Sequence, residues 1–389
     1  MRNLESRKLP KLTYSVPELS LAPIRWGTLI GERSTMSLAW FFFVGFLLSG
    51  CQSNVAHHGP VAVAARDAQA DDAMYVQWLG VSSWIVSRGN DAVVIDPFFS
   101  RNSLLSVMVS SAFQGLLGNF GYDVERIRAV LPDLPENTRF VLLGHSHYDH
   151  LMDVPYYVLR SGPNVTYVGS DTARNILLGF KPNQLDFLVP RDGEQNQKAT
   201  VRVTAFTGDH APHIFGLKFM EGEIRTPLDS PPTHADQYVE GPTLIYFIDF
   251  LDENDRVAWR VFVNSAASSR EGAKVLEKHP SFLQEHVTNV AILCVPGWNK
   301  VDDYPNSILR LVDPDHVVLS HYDDFFSPYK NGEDPKDGMK FVLFANYGGF
   351  LEELKNLKSQ HGYRYRIHEP KTGQCIRFPS SERNLECEQ

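Results

Sequence analysis

Within six positions the chain sets three imidazoles and a carboxylate, His145-Ser146-His147-Tyr148-Asp149-His150, directly after Gly144 and the apolar run Phe140 to Leu143. A short apolar run of this kind reads as a buried strand. Side chains two apart on a strand share a face, so His145 and His147 are expected to leave it on the same side and grip one cation. A helix beginning near Tyr148 puts Asp149 and His150 in its first turn, facing a second cation beside the first. A lone histidine is ordinarily a surface or satisfied core residue; four ligand-type residues in six positions reverse that reading. Imidazole and carboxylate without thiolate suit zinc, with manganese or iron as alternatives, and a site left open to water suits hydrolysis.

The cluster resembles the His-x-His-x-Asp-His signature of the metallo-β-lactamase-fold hydrolases, and the resemblance extends over Met74 to Phe378. Met74 to Pro97, ending in Asp96-Pro97, is similar to that family's opening hairpin. Val201 to His210 is similar to the strand and loop that deliver the next metal histidine, and His316 to Phe325 to the last, with His321 at the ligand position. The resemblance implies a four-layer αββα sandwich of the α/β (α+β) class. It also implies one ion on His145, His147 and His210, a second on Asp149, His150 and His321, and Asp96 orienting the cluster behind them. His213 rivals His210 in the same loop; the strand register favours His210. The family's bridging aspartate has no counterpart, because Trp259 to Val263 runs into Asn264-Ser265-Ala266-Ala267, and neither an amide nor a hydroxyl offers an anionic oxygen at neutral pH. One ion, two ions bridged by water with a borrowed carboxylate, or a scaffold without turnover all remain open. Asp209, Asp249 and Asp323 are the carboxylates available for borrowing, each with a structural reading of its own.

The N-terminus bears on location. Ser37 to Leu48 is almost wholly apolar and runs into Ser49-Gly50-Cys51, which resembles a bacterial lipoprotein signal with its lipobox. The run is shorter than the roughly 20 apolar residues of a spanning helix, and six basic against three acidic side chains precede Ser37, so a removed signal is expected. Met36 is a rival start. The expected organisation is a signal over 1–50, a flexible tether over 51–73 and the hydrolase domain over 74–389. Cys51 carries a lipid in this reading, and Gln52 after it points to the outer membrane, with the domain facing the periplasm.

Removing the segment before Cys51 takes the formal charge from −9 to −12, and no basic stripe with interleaved aromatics is present, which argues against nucleic-acid partners. A 43% hydrophobic content supplies a large core. Cys294 lies in a β-branched run and reads as a buried thiol. Cys375 and Cys387 are close enough in sequence to pair in an oxidising compartment. No CxxC pair is present, so no thiolate metal site is expected.

Strands are expected at 74–78, 83–87, 92–95, 139–143, 166–168, 201–206, 243–250, 260–263, 290–295, 316–319 and 364–367, with a closing turn and strand within 371–378. Helices are expected at 124–129, 152–159, 171–178, 269–277, 306–312 and 341–358. The nearly uncharged stretch from Ser100 to Gly121 has a broad apolar face that suits a core-packed helix or, in a sharper reading, a lid or membrane-contacting element. Glu221 to Pro242 reads as a long loop that shapes the site or merely crosses the surface. In the mechanism expected from these residues a metal-activated water attacks an ester-type bond. Asp149 orients it or takes its proton, and His213 and Tyr322 stand as further catalytic or substrate-contacting candidates. The strand-end context is similar to the branch holding lactonases and an N-acyl-phosphatidylethanolamine phospholipase D. A phosphodiester or lactone, of a small molecule or a lipid, is the expected substrate; the alternative is a non-catalytic envelope binding protein.

Overall fold

A computed structural model describes residues 72–110, 120–162, 164–212, 220–343 and 345–379, all within one compact unit, Ala56–Gln389. The apolar segment 37–48, Cys51, the tether apart from its end, His213, Cys387 and residues 111–119 of the uncharged stretch lie outside the described residues. Among the described residues no helix is long and apolar enough to cross a membrane.

Two seven-stranded mixed sheets carry the architecture. The first contains β1 (Met74–Trp78), β2 (Trp84–Arg88), β3 (Asp91–Ile95), β4 (Thr138–Leu142), β5 (Thr166–Val168), β6 (Phe187–Leu188) and β14 (Cys375–Phe378), ordered β14-β1-β2-β3-β4-β5-β6. The second contains β7 (Gln195–Lys198), β8 (Val201–Thr207), β9 (Leu244–Leu251), β10 (Val257–Asn264), β11 (Val290–Cys294), β12 (His316–Ser320) and β13 (Arg366–His368), ordered β13-β12-β11-β10-β9-β8-β7. Each begins as an antiparallel meander, β1-β2-β3 in one and β8-β9-β10 in the other, and continues as parallel strands. Parallel neighbours need long crossovers, and helices supply them. In the first sheet these are α2 (Val124–Val130), α3 (Tyr148–Leu151), α4 (Val154–Val158) and α5 (Asp171–Leu178). In the second they are α6 (Arg270–Glu277), α7 (Pro280–Glu285), α8 (Asn306–Val312) and α9 (Tyr347–His361). A further short helix, α1 (Leu104–Ser110), follows β3.

The central strands are covered on both faces and are largely apolar: every residue of β9, Leu-Ile-Tyr-Phe-Ile-Asp-Phe-Leu, is buried, its single charge Asp249 included. The sheets meet face to face, with Trp84 Nε1 donating to Ser320 Oγ at 2.9 Å, Tyr246 OH donating to Leu143 O at 2.7 Å, and the Trp78 and Tyr322 rings 4.5 Å apart. The paired sheets with intervening helices are the α/β sandwich anticipated from the sequence.

Three expectations need correction. β4 ends at Leu142, so His145 and His147 sit in the following loop and strand alternation does not set their direction. α9 starts at Tyr347, not 341, because the segment before it is laid on the chain after β12: Asp324 N donates to Lys340 O at 2.8 Å and Val342 N to Tyr322 O at 2.9 Å. Strands β6 and β7 were not anticipated: β6 is only two residues long, and Gln195-Asn-Gln-Lys198 is a polar edge strand with no apolar alternation to mark it.

Candidate metal centre

Strand direction decides what gathers at the site. Strands β3 and β4 run together, and so do β8, β10, β11 and β12, so the chain after each of them emerges at the carboxyl end of its sheet. Open α/β sheets place their ligands at that end. Asp96 follows β3, His145 to His150 follow β4, His210 follows β8, Ser265 follows β10 and His321 follows β12.

Two triads result. The candidate donor atoms of His145, His147 and His210 lie within 4.8 Å of one another, and so do those of Asp149, His150 and His321. The triads touch: the His145 and His150 rings are 3.9 Å apart. His147 caps the N-terminus of α3, which places Asp149 and His150 in the first turn of that helix. His210 Nδ1 donates to Ala211 O at 2.6 Å, so the proton of the neutral ring sits on Nδ1 and Nε2 is the nitrogen with the lone pair. Asp96 fixes His150, its Oδ2 lying 2.9 Å from His150 Nδ1 while its Oδ1 accepts the Gly144 N–H at 2.7 Å.

Burial and mutual charge set the protonation of these groups. Burial, joined by the imidazoles of His150, His210, His147 and His321, pushes His145 well below its ordinary value, so it is neutral with a lone pair to offer. Burial alone would lower His150, but Asp96 and Asp149 beside it raise it. Burial would raise Asp149, yet the neighbouring His150 and His321 hold its carboxyl well below the usual range, and its Oδ2 lies 3.2 Å from His321 Nε2.

Both nitrogens of His145 and the Nδ1 of His321 are buried with no hydrogen-bond partner among the described residues. Buried nitrogens in that state are costly unless something binds them. Five imidazoles and one carboxylate without thiol are a donor set for a divalent ion of the zinc, manganese or iron type, and the residues present fit such an ion in each triad.

The frame around the triads is built from strained turns held by buried charge. His321 and Asp96 take left-handed backbone, with φ of 66° and 40°, and so do Val81 and Arg101 at 51° and 42°, conformations that persist only where the surroundings over-determine them. His321 N donates to Val81 O at 2.9 Å, Val81 N donates to Asp323 Oδ1 at 2.8 Å, and Asp323 Oδ2 lies 2.5 Å from Arg101 Nη2, deep in the interior. On the other side Asp153 accepts from Phe99 N, Ser100 N and Ser100 Oγ at 2.5, 2.8 and 2.5 Å, tying the segment after β3 to the start of α4. The long loop over 221–242 packs on the histidine loop directly: Ser146 N donates to Glu240 O at 2.9 Å.

The segment after β10 threads between the loops that carry the histidines. A Cβ on Gly144 would stand 2.6 Å from Ser265 Cβ, so only glycine fits there. Ser268 Oγ donates to Asp209 O at 3.0 Å. Ser265 is 4% exposed, and its hydroxyl has no hydrogen-bond partner among the described residues. None of the three carboxylates considered as substitutes joins a triad. Asp209 accepts from Ser269 N at 2.7 Å at the head of α6, Asp249 is paired with Arg260 and Arg202 at 2.7 and 2.8 Å, and Asp323 is taken by Arg101.

Tyr322, read from the sequence as a substrate contact, is instead fully buried, its hydroxyl donating to Pro370 O. Sequence reasoning missed Arg101 and Asp153, isolated charges whose partners are remote in the chain. The apolar residues anticipated beside the site include Phe120, whose ring meets Tyr148 edge-on at 5.6 Å and Tyr238 at 6.4 Å.

No protein-family model and no curated protein matches the chain. Solved structures do. Igni18, a metallo hydrolase from Ignicoccus hospitalis, is 16% identical over 79% of this chain and 98% of its own, with a TM-score of 0.44. An isothiocyanate hydrolase from Delia radicum gut bacteria is 13% identical over 78% of this chain and 99% of its own, also at 0.44. The metallo-β-lactamase fold protein YhfI from Bacillus subtilis is 12% identical over 79% and 100%, at 0.41. At this level of likeness the site has to be read from its own geometry.

Proposed function

We propose that this chain is a metal-dependent hydrolase acting on an ester-type bond. The observation that carries the reading is the convergence of six donors from three strand ends, those of β4, β8 and β12, into two adjoining triads, His145, His147, His210 and Asp149, His150, His321. Zinc is the ion proposed. When bound there it would lower the pKa of a coordinated water toward neutrality and polarise the bond to be cut.

The chain's own residues supply the rest. Asp149, ionised by its imidazole neighbours, is the group that orients the attacking water or takes its proton. Asp96 holds His150 in one tautomer, with Nδ1 facing the carboxylate and Nε2 turned to the donor cluster. Arg101 and Asp323 keep the His321 turn in place through Val81. His213, the other catalytic candidate of the sequence, lies outside the described residues.

A phosphodiester or a lactone is the proposed bond, and a lipid carrying one is the narrower version. Its support is the buried aromatic group of Phe98, Phe120 and Tyr238 around Tyr148, the residue that follows His147, together with the apolar α1. The same reading includes a lipid on Cys51 and a place in the bacterial envelope, resting on the lipobox-like sequence; mass spectrometry of the mature N-terminal peptide tests it. The binding-protein alternative draws its support from the neutral segment Asn264 to Ser268.

Elemental analysis of the purified chain beside His147→Ala, with hydrolysis of bis(p-nitrophenyl) phosphate, p-nitrophenyl butyrate and a γ-lactone, decides between them. Metal and turnover both lost in the variant support the hydrolase. Metal without turnover on any ester class favours the binding protein, and no metal in either protein sinks both the centre and the mechanism.

A further inference from the structure

His210 is the one donor of the first triad that comes from the second sheet, so its place beside His145 and His147 depends on how the loop after β8 is held. That loop is fastened on both sides of the histidine. Before it, Gly208 N donates to Thr243 O at 2.8 Å. Asp209 is then gripped at three points by the end of the segment after β10. Its carbonyl accepts from Ser268 Oγ at 3.0 Å, its Oδ1 accepts from Ser269 N at 2.7 Å, and its Oδ2 accepts from Ser269 Oγ. Beyond His210, Ala211 lies so close to the turn after β11 that a Cβ on Gly297 would stand 2.5 Å from the Ala211 Cβ. Ser269 is the N-cap of α6, its Oγ also accepting from Gly272 N at 3.3 Å. The Asp209 carboxylate therefore rests on the first turn of that helix, where backbone N–H groups favour negative charge. A Cβ on Gly272 would stand 2.6 Å from Asp209 Cγ, so the helix and the carboxylate leave no room for a methyl group between them.

We propose that Asp209 is the positioning residue of His210, and that Ser268 and Ser269 form the clamp that holds it. The proposal rests on the metal-centre reading above and deepens it. Asp209 gives no donor to either triad and acts through the loop it anchors. The segment from Asn264 to Ser269, which brings no charged ligand to the centre, thus serves it by fixing where His210 stands. Groups that orient a metal ligand are worth about 10- to 100-fold in affinity, so loosening this loop weakens the first triad. The clamp reaches that triad alone, because His150 is set by Asp96 and the His321 turn by Val81. Its chemistry also separates two substitutions at one position. An amide at 209 still accepts from Ser269 N through its oxygen and donates to Ser269 Oγ through its nitrogen, which keeps the clamp closed. Alanine opens it.

The test compares full-length wild type, Asp209→Ala, Asp209→Asn and Gly272→Ala, each alone and combined with His210→Ala. Zn2+ affinities are read by chelator competition with elemental analysis, and the metal-free proteins by imidazole NMR and thermal unfolding. The proposal expects Asp209→Ala to weaken, at least about 10-fold, the ion that His210→Ala loses, with any other ion within about 2-fold of wild type. Asp209→Asn stays near wild type. Gly272→Ala, which pushes the carboxylate off from the helix side, follows Asp209→Ala. In the His210→Ala background the same changes leave metal affinity where His210→Ala alone puts it, the non-additivity of residues that act through one another. In metal-free protein Asp209→Ala moves the His210 signals and leaves those of His150 and His321 in place. Equal weakening of every ion, a further loss on top of His210→Ala, or unchanged affinity in Asp209→Ala overturns the proposal while leaving the metal centre standing. If Asp209→Ala does not fold, Gly272→Ala and Ser268→Ala carry the same comparison. No ion in wild type overturns the metal-centre reading itself, and the metal-free spectra then still decide whether Asp209 places His210.

Discussion

Asp96 and His150 form the contact on which the orientation of the second triad depends: Oδ2 of the one lies 2.9 Å from Nδ1 of the other, while the second carboxylate oxygen is occupied by the Gly144 N–H at 2.7 Å. A carboxylate accepts on both sides; an amide cannot. In Asp96→Asn either Gly144 N or His150 Nδ1–H faces an NH2 group, and the imidazole is released from its tautomer. We expect the metal affinity of this triad to fall about 10- to 100-fold with secondary structure unchanged. Chelator competition followed by elemental analysis checks it, and an affinity within a factor of about two of wild type would remove Asp96 from the orienting role.

Gly144→Ala is expected to be destabilising although the change is one methyl group. Its Cβ would stand 2.6 Å from Ser265 Cβ and 3.1 Å from Asp96 Oδ2, an overpacking that costs roughly 1 to 3 kcal/mol. Adding Ser265→Gly takes away the nearer clash, so the double variant is expected to recover part of the lost melting temperature. Additive losses in the two single variants would show that the two residues do not press on each other.

Asp249 is predicted to matter for stability and not for metal. It and Arg260 are completely buried, and Arg202 shares the carboxylate. Asp249→Ala leaves Glu285, itself 43% exposed, as the carboxylate partner of both guanidinium groups, a loss of about 3 to 5 kcal/mol by comparison with other broken buried pairs. Urea denaturation reads the loss, and elemental analysis of the folded variant is expected to return the wild-type ion count. A reduced count would make Asp249 a participant in the centre after all.

Asp153 gives a pH dependence whose sign is fixed by its burial. Removal from water pushes its carboxyl up to about 6, against the opposing hydrogen bonds from Ser100 Oγ, Phe99 N and Ser100 N. With the ordinary value of 3.8 in the unfolded chain, the folded state holds its proton longer than the unfolded state does. The contribution is therefore fully present below about pH 4 and is lost as pH rises through about 6. The stability difference between Asp153→Asn and wild type should shift in favour of the variant across that interval and be flat above pH 7. A difference that does not change between pH 4 and 7 would show that the carboxyl titrates as an ordinary one.

How much of this was legible in the sequence depends on whether a residue's partner is nearby in the chain. His145, His147, Asp149 and His150 announce themselves because they crowd into six positions, and the strands of the sandwich because β11 is an unbroken apolar run and β9 is interrupted by Asp249 alone. Arg101 is another matter, since its partner Asp323 is 222 positions away and nothing local distinguishes it from a solvated arginine. Tyr322 misled for the same reason: lying next to His321 it looks like part of the site, yet the fold turns it into the core toward Pro370. The direction of His145 and His147 was likewise hidden, because the loop that carries them is shaped by contacts with Glu240 and Ser265.

The donors come from both sheets: His145, His147, Asp149 and His150 leave the first, and His210 and His321 leave the second. Neither sheet alone can complete a triad. An ion bound here is thus a rivet between two halves, and it can be set only after both halves have formed and met. Such late, long-range assembly is slow compared with local folding, which makes metal capture a timestamp for the last step of folding. A chain trapped with its sheets undocked would carry most of its secondary structure and no ion at all.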